Sequence, residues 1–280
     1  MKVSYYPGCS LHGTAREYDE STRAVAHALG VDLEELPDWN CCGASSAHAT
    51  DEDLAKGLAG RNLAIAGKQG MDLVVPCAAC YSRLKAAEVV PVNAAAGGRD
   101  NSPRVISLLD FLASPDLLDA MASLVKRPLN KLKVVSYYGC LLVRPPRTTG
   151  ALHHEFPETM DRLMVLIGAL PFPWSYKTDC CGGSLVLSRK DIVLDLTAKL
   201  LKEAAKAGAE AIVVACPLCQ SNLDTRQEEL ARAGAPCHIP VLYFTEMIGL
   251  AFSLKDAARW LKRHFVDPTE LLASRGLLAR

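Results

Sequence analysis

Apolar and polar positions alternate between two periods along this chain, and the order of those periods occurs twice. Val3-Ser4-Tyr5-Tyr6 is a short run of strand formers ended by Pro7-Gly8. Spacing then turns helical. Thr14 and Glu17 stand as a capping box, and the helix runs to about Leu29, where Gly30 stops it. Val31 to Leu36 alternates as a second strand, followed by the turn Pro37-Asp38-Trp39-Asn40. Thr50 with Asp53 marks the next helix start. Leu54, Leu58 and Ile65 stripe that helix to about Lys68, before Gly70. Met71 to Val75 is apolar enough for a buried strand, and Cys77 to about Glu88 returns to helix. Val89 to Arg104, rich in Ala, Gly, Asn and Pro, is expected as loop. Val105 to Leu112 is expected as strand into helix, and Asp116 to about Val125 as helix.

The pattern restarts after Arg127-Pro128-Leu129-Asn130. Val134 to Cys140 repeats Val3 to Cys9. An inserted loop, Arg144 to Gly150, precedes a helix over Pro157 to Ile167. Ile192, Val193, Leu196 and Leu200 stripe a helix, Ala211 to Ala215 is the buried strand, and Ile239 to Phe244 echoes Val105 to Phe111. Alternating strands and helices predict an α/β protein of two tandem duplicated domains. Each is a small, mostly parallel sheet with flanking helices, and a C-terminal helical tail follows. The expected divisions are residues 1–130, 131–260 and 261–280.

Composition narrows the function classes. Half the 280 residues are hydrophobic, 22% are charged, and the formal net charge is zero. Real cores can form, and no basic excess is available for nucleic acid. The longest apolar stretch, roughly Leu163 to Pro171, is too short for a membrane span. Met1 to Pro7 has strand character rather than that of a signal peptide. The expectation is a cytoplasmic protein with no nucleic-acid partner and no membrane span. A reducing compartment then argues against structural disulfides, as does an odd number of thiols per half.

Ten of the eleven cysteines obey the repeat. In the first half 31 residues separate Cys9 from Cys41-Cys42-Gly43, and 34 separate Cys42 from Cys77-Ala78-Ala79-Cys80. In the second, 39 separate Cys140 from Cys180-Cys181-Gly182, and again 34 lead to Cys216-Pro217-Leu218-Cys219. Cys237 stands outside and has the character of a small buried hydrophobe. Each motif cysteine lies beyond a strand, so all are expected at one edge of a sheet. There, helix N-termini favour thiolates. Soft thiolate-only sets suit zinc or iron–sulfur. Four ligands satisfy a structural zinc or a cubane cluster, so the fifth thiol is a surplus. An adjacent Cys-Cys pair is also an awkward bite for one tetrahedral ion. The surplus thiol is either a spare reactive group or part of a cluster with more thiolate positions than a cubane.

These ten positions resemble the heterodisulfide reductase B-subunit family, whose members carry a duplicated cysteine-rich CCG domain. Pro7-Gly8-Cys9, Pro37 to Gly43 and Ala215 to Cys219 strengthen the likeness. The resemblance implies one non-cubane [4Fe–4S] cluster per half. Cys9, Cys41, Cys42, Cys77 and Cys80 would hold one; Cys140, Cys180, Cys181, Cys216 and Cys219 would hold the other. Zinc in one half is the alternative. It implies a catalytic iron–sulfur oxidoreductase subunit that reduces a small disulfide to two thiols, or runs the reverse. The S–S bond would lie between the clusters, with Cys42 and Cys181 essential. It also implies electrons from an iron–sulfur small subunit and a flavin-containing subunit. This fits the lack of a Gly-rich dinucleotide fingerprint here. The alternative is a non-catalytic electron-relay subunit of a larger redox complex. Other residues carry weaker signals. Gly43, Gly182 and Gly183 suit tight backbone near a cluster, and Trp39 and Trp174 suit shields from water. Arg144 and Arg147 could hold an acidic group, and His12, His48, His153 and His154 could donate protons, although a solvated loop explains each as well. Tyr5, Tyr6, Tyr137 and Tyr138 are expected in strand packing, with one of each pair available to line a cleft.

Overall fold

The computed structural model describes residues 1–44, 46–88 and 103–278. Among the described residues, two four-stranded sheets occupy the two halves, and every strand pair is parallel. The first comprises β1 (Lys2–Tyr5), β2 (Asp32–Glu35), β3 (Leu73–Val75) and β4 (Val105–Ser107), in the order β2-β1-β3-β4. The second comprises β5 (Lys133–Tyr137), β6 (Leu170–Pro171), β7 (Ala211–Val214) and β8 (Val241–Tyr243), in the order β6-β5-β7-β8. The duplication is therefore architectural as well as sequential. In each sheet the chain winds one way from the first strand and the other way from the third. The carboxyl ends of those two strands thus flank a switch point, where open parallel sheets bind ligands.

Burial explains the sequence pattern. β3 and β7 are buried along their whole length, hence their unbroken apolar runs. The two long helices differ in how they follow the expected stripes: Lys190–Lys206 buries Val193 and Leu200 of its stripe, whereas Glu52–Gln69, which ends at Gly70 with φ 68°, buries Ala55, Ala59, Leu63 and Ala66 and leaves Leu54 exposed and Leu58 and Ile65 half-buried. Two starts differ from expectation. The Thr14 capping box does not form. The helix runs Arg16–Ala28 from Ala15 with no side-chain cap, because Glu17 is turned inward and buried. The next long helix is capped by Asp51, whose carboxylate accepts the Leu54 amide at 2.9 Å, while Thr50 closes a preceding short helix, Ala47–Thr50. The loop expected from Val89 to Arg104 lies, for residues 89–102, outside the described residues.

The halves meet along helix Arg16–Ala28 and helix Phe244–Ala251. Tyr18 stacks on Tyr243 with ring centroids 4.1 Å apart and planes within 4°, and Ser21 shares a 2.7 Å hydrogen bond with Thr245. The C-terminal segment is short helices, Ala257–Leu261 and Thr269–Ser274, tied to the second half, to the boundary before it and, through Arg259 and Arg263 on Glu20, to the first half. Asp224 accepts the Phe265 and Val266 amides, and Arg127 and Asn130 donate to the carbonyls of Leu277 and Arg275.

Candidate functional site

The residues just past β1, β2 and β3 deliver the first five cysteines, and those past β5, β6 and β7 deliver the second five. Cys42 Sγ lies 3.1 Å from Cys80 Sγ, and Cys181 Sγ lies 3.5 Å from Cys219 Sγ. The amide of Gly43 donates to Cys41 Sγ at 3.4 Å; that of Gly182 donates to Cys180 Sγ at 3.2 Å. Both glycines have positive φ, 73° and 79°, which turns the amide back toward the preceding thiol. A second matched pair packs closer still. Gly8 and Gly139 also have positive φ, and a Cβ there would stand 3.1 Å from Cys80 Sγ and 2.8 Å from Cys219 Sγ.

One thiol in each adjacent pair is acidified. Hydrogen bonds from Cys41 and Cys80 bring Cys42 down to about 4. One from Cys140 brings Cys180 down to about 6. Cys77 and Cys216 approach each other across the halves, and the neighbouring thiols, Cys219 first and Cys77 second, lower Cys216 well below an ordinary thiol. The buried Tyr18 hydroxyl lies 3.2 Å from the Pro76 carbonyl and 3.3 Å from that of Ala215. It bridges the residues that immediately precede Cys77 and Cys216. Cys42, Cys77, Cys80, Cys181, Cys216 and Cys219 are buried, while Cys9, Cys41 and Cys180 are exposed. Each half therefore pairs a buried base with an open face.

A pocket of about 230 Å³ lies between the halves. All second-half thiols of the repeat line it, together with Ala44, His48, Ala79 and Arg83 from the first half. Tyr138 reaches it too, its hydroxyl donating to Asp161 at 2.7 Å. Tyr6 and Tyr137 instead back the thiols, donating to the carbonyls of Asn40 and Asp179, the residues before each Cys-Cys pair. Trp39 and Trp174 pack edge-on against those tyrosines, one ring further out than a direct shield. Tyr5 donates to Asp19. Of the four candidate histidines, only His48 lines this pocket. His12 pairs with Glu35, His154 lies by Glu155, and His153 lines a separate cavity. Arg144 is engaged by Glu155 at 2.5 Å and by Thr178, and Arg147 stands in the short helix Pro146–Thr149. Cys237 is half-buried and packs against the core.

Family comparison assigns the same two segments. A model of the CCG cysteine-rich domain matches residues 3–85 and 134–224. The chain belongs to the CCG cysteine-rich domain family. Among its relatives is the 8-methylmenaquinol:fumarate reductase membrane anchor subunit of Wolinella succinogenes, 31% identical over 96% of this chain and 99% of that protein. Another is the B-subunit of the ferredoxin/F(420)H(2)-dependent CoB-CoM heterodisulfide reductase of Methanosarcina acetivorans, 26% identical over 97% of this chain and 96% of that one. A solved structure of a hypothetical protein from Helicobacter pylori shares the fold, with a TM-score of 0.71 over 95% of this chain and 52% of that chain at 12% identity. Among the described residues, no helix is long and apolar enough to cross a membrane.

Arg83 is the pocket residue that sequence patterning does not single out. It follows Cys80 by three residues, on the helix Ala78–Glu88. The residue at the same offset from Cys219 is Asn222, and comparing the two CxxC segments of the repeat would have exposed the mismatch.

Proposed function

We propose that this CCG-family chain is the iron–sulfur subunit of a larger oxidoreductase complex. In this reading two non-cubane [4Fe–4S] clusters sit on Cys9, Cys41, Cys42, Cys77 and Cys80 and on Cys140, Cys180, Cys181, Cys216 and Cys219. A small disulfide is reduced to two thiols beside them. The observation that carries the catalytic part is that the pocket around the second thiol set extends beyond those thiols to Ala44, His48, Ala79 and Arg83 of the first half. A pure relay needs room for the cluster alone.

The donors fit the group. They are thiols alone, a soft set suited to iron–sulfur chemistry. Gly8 and Gly139 leave room against Cys80 and Cys219 that a side chain would fill, and two amides already point at sulfur. Such clusters supply electrons singly, so two of them match the two electrons that S–S cleavage consumes. The chain's own residues do the rest. Buried Cys42, Cys80, Cys181 and Cys219 hold the base of each site away from water. Ala44, Ala79, Leu141 and Leu218 make the pocket wall apolar, and exposed His48 is placed to hand a proton to a departing thiolate. Two protons and two electrons enter as the S–S bond breaks, and both sulfurs leave as thiols. Electrons would come from partner subunits carrying further iron–sulfur and flavin groups.

A second reading, an electron relay without substrate, is favoured by the relative named as an anchor subunit of a fumarate reductase. Anaerobic purification with iron, sulfide and zinc analysis, then spectroscopy of the oxidised protein with added thiol, separates the two. About eight irons, no zinc and a thiol-dependent paramagnetic signal are expected. Full iron with no response to any thiol would favour the relay. About four irons with one zinc would remove the two-cluster reading. Cys42→Ser or Cys181→Ser is expected to abolish turnover and leave about one intact cluster per chain; full turnover in either would contradict the assignment.

A further inference from the structure

The CCG repeat is nearly symmetric around its thiols, and it breaks at one chemically telling place. In the second half, Asn222 is buried and donates from Nδ2 to the Cys181 carbonyl at 3.0 Å, a structural tie within the site. Its counterpart by offset, Arg83, has no such role. The Nε of Arg83 is buried without a hydrogen-bond partner, and among the described residues no carboxylate pairs with its guanidinium. On the same helix, Lys85 is already matched by Glu88. A buried, unsatisfied arginine donor is costly to keep unless something else completes it.

Arg83 lines the interdomain pocket, opposite the second thiol set. That pocket contains no Asp or Glu among its described lining residues. Its wall is otherwise largely apolar, so a charge there is weakly screened. A guanidinium in such a setting favours a planar anion held through two parallel hydrogen bonds. The five second-half thiols line this same pocket of about 230 Å³, so a cluster on them would take part of a space already below the roughly 300–1,000 Å³ of drug-sized sites. The occupant is correspondingly a short molecule.

We infer that Arg83 is the specificity-determining anchor of this pocket, holding a carboxylate or similar anionic group of a small thiol or disulfide whose sulfur faces the second thiol set. The inference rests on the sulfur-substrate reading above, and its test keeps the two separable. The cluster-loaded full chain is titrated with 3-mercaptopropionate and with its neutral isostere 3-mercaptopropionamide. Binding is followed in parallel by calorimetry and by the cluster's absorption and paramagnetic spectra. The wild-type chain is expected to prefer the acid by tenfold or more. Arg83→Gln should reduce that ratio to near one without changing amide affinity or iron content, and Arg83→Lys should retain part of it.

Equal binding of acid and amide by the wild-type chain, or an unchanged ratio in Arg83→Gln, overturns the proposal. A shift of the cluster midpoint potential in ligand-free Arg83→Gln, with the ratio unchanged, would also overturn it, since Arg83 would then serve the charge of the cluster. Acid binding that is selective by calorimetry but spectroscopically silent would uphold Arg83 as the anchor and remove the sulfur-substrate reading. No binding of either probe would remove both.

Discussion

At the residue scale, glycines at Gly8 and Gly139 are as specific to this site as the cysteines they precede. Each has positive φ, and each lies where a Cβ would press on a thiol. Two penalties then add on substitution: about 1–2 kcal/mol for a non-glycine residue in the left-handed region, and the clash itself. The closer approach is at Gly139, 2.8 Å against 3.1 Å at Gly8. Gly139→Ala is therefore expected to lower cluster loading of the second half more than Gly8→Ala lowers that of the first. Iron analysis of the two purified variants checks the order. Both glycines were visible in sequence only as strand ends, because a one-dimensional pattern does not show which distant atom approaches a missing Cβ. Cysteine spacing was more legible, since a 34-residue gap used twice survives any folding detail. Arg83 was not, since an arginine on a helix looks the same whether it faces solvent or a pocket.

At the element scale, buried strands and the presence of the long helices were legible, and helix starts and the buried face of helix Glu52–Gln69 were not. β3 and β7 announced themselves through unbroken apolar runs, and all-parallel pairing followed from the alternation of strand and helix. β6, the edge strand Leu170–Pro171, has only two residues and a proline, too little signal to separate from loop. Capping depends on which of several neighbouring oxygens turns toward the first amides, and that choice is made by packing. Thr50 and Asp51 were both chemically suitable; Asp51 makes the bond, at the head of the helix that packs on the Cys80- and Arg83-bearing helix. Asp51→Ala is expected to cost about 1 kcal/mol and to lower the unfolding midpoint by about 2–4 °C. Thr50→Ala should change it far less. A thermal melt of each variant decides, and the opposite order would return the cap to Thr50.

At the scale of the whole molecule, the two halves and the C-terminal segment are joined by buried charge that no sequence motif advertised. His264, from the C-terminal segment, places Nε2 2.9 Å from Glu246 on helix Phe244–Ala251. Its Nδ1 contacts Gln220 at 3.2 Å, with Asp224 at 4.0 Å, and Glu17 approaches from the first half. Burial alone would lower the imidazole pKa, but the charge and hydrogen bond of Glu246, then Asp224 and Glu17, raise it from 6.5 to about 9. A histidine raised on folding stabilises fully below its unfolded pKa, and that contribution is lost as pH rises through the folded value. Stabilisation by His264 is thus present below about pH 6.5 and disappears above about pH 9. His264→Gln leaves Glu246 and Asp224 without their cation, at a cost of about 3 kcal/mol near pH 6. The gap between wild type and variant should close as pH passes about 9, because the wild-type imidazole is then neutral as well. Denaturant unfolding of both proteins across that range tests the linkage. A gap that stays constant with pH would mean that His264 holds the C-terminal segment by packing alone, and that the interface is neutral throughout.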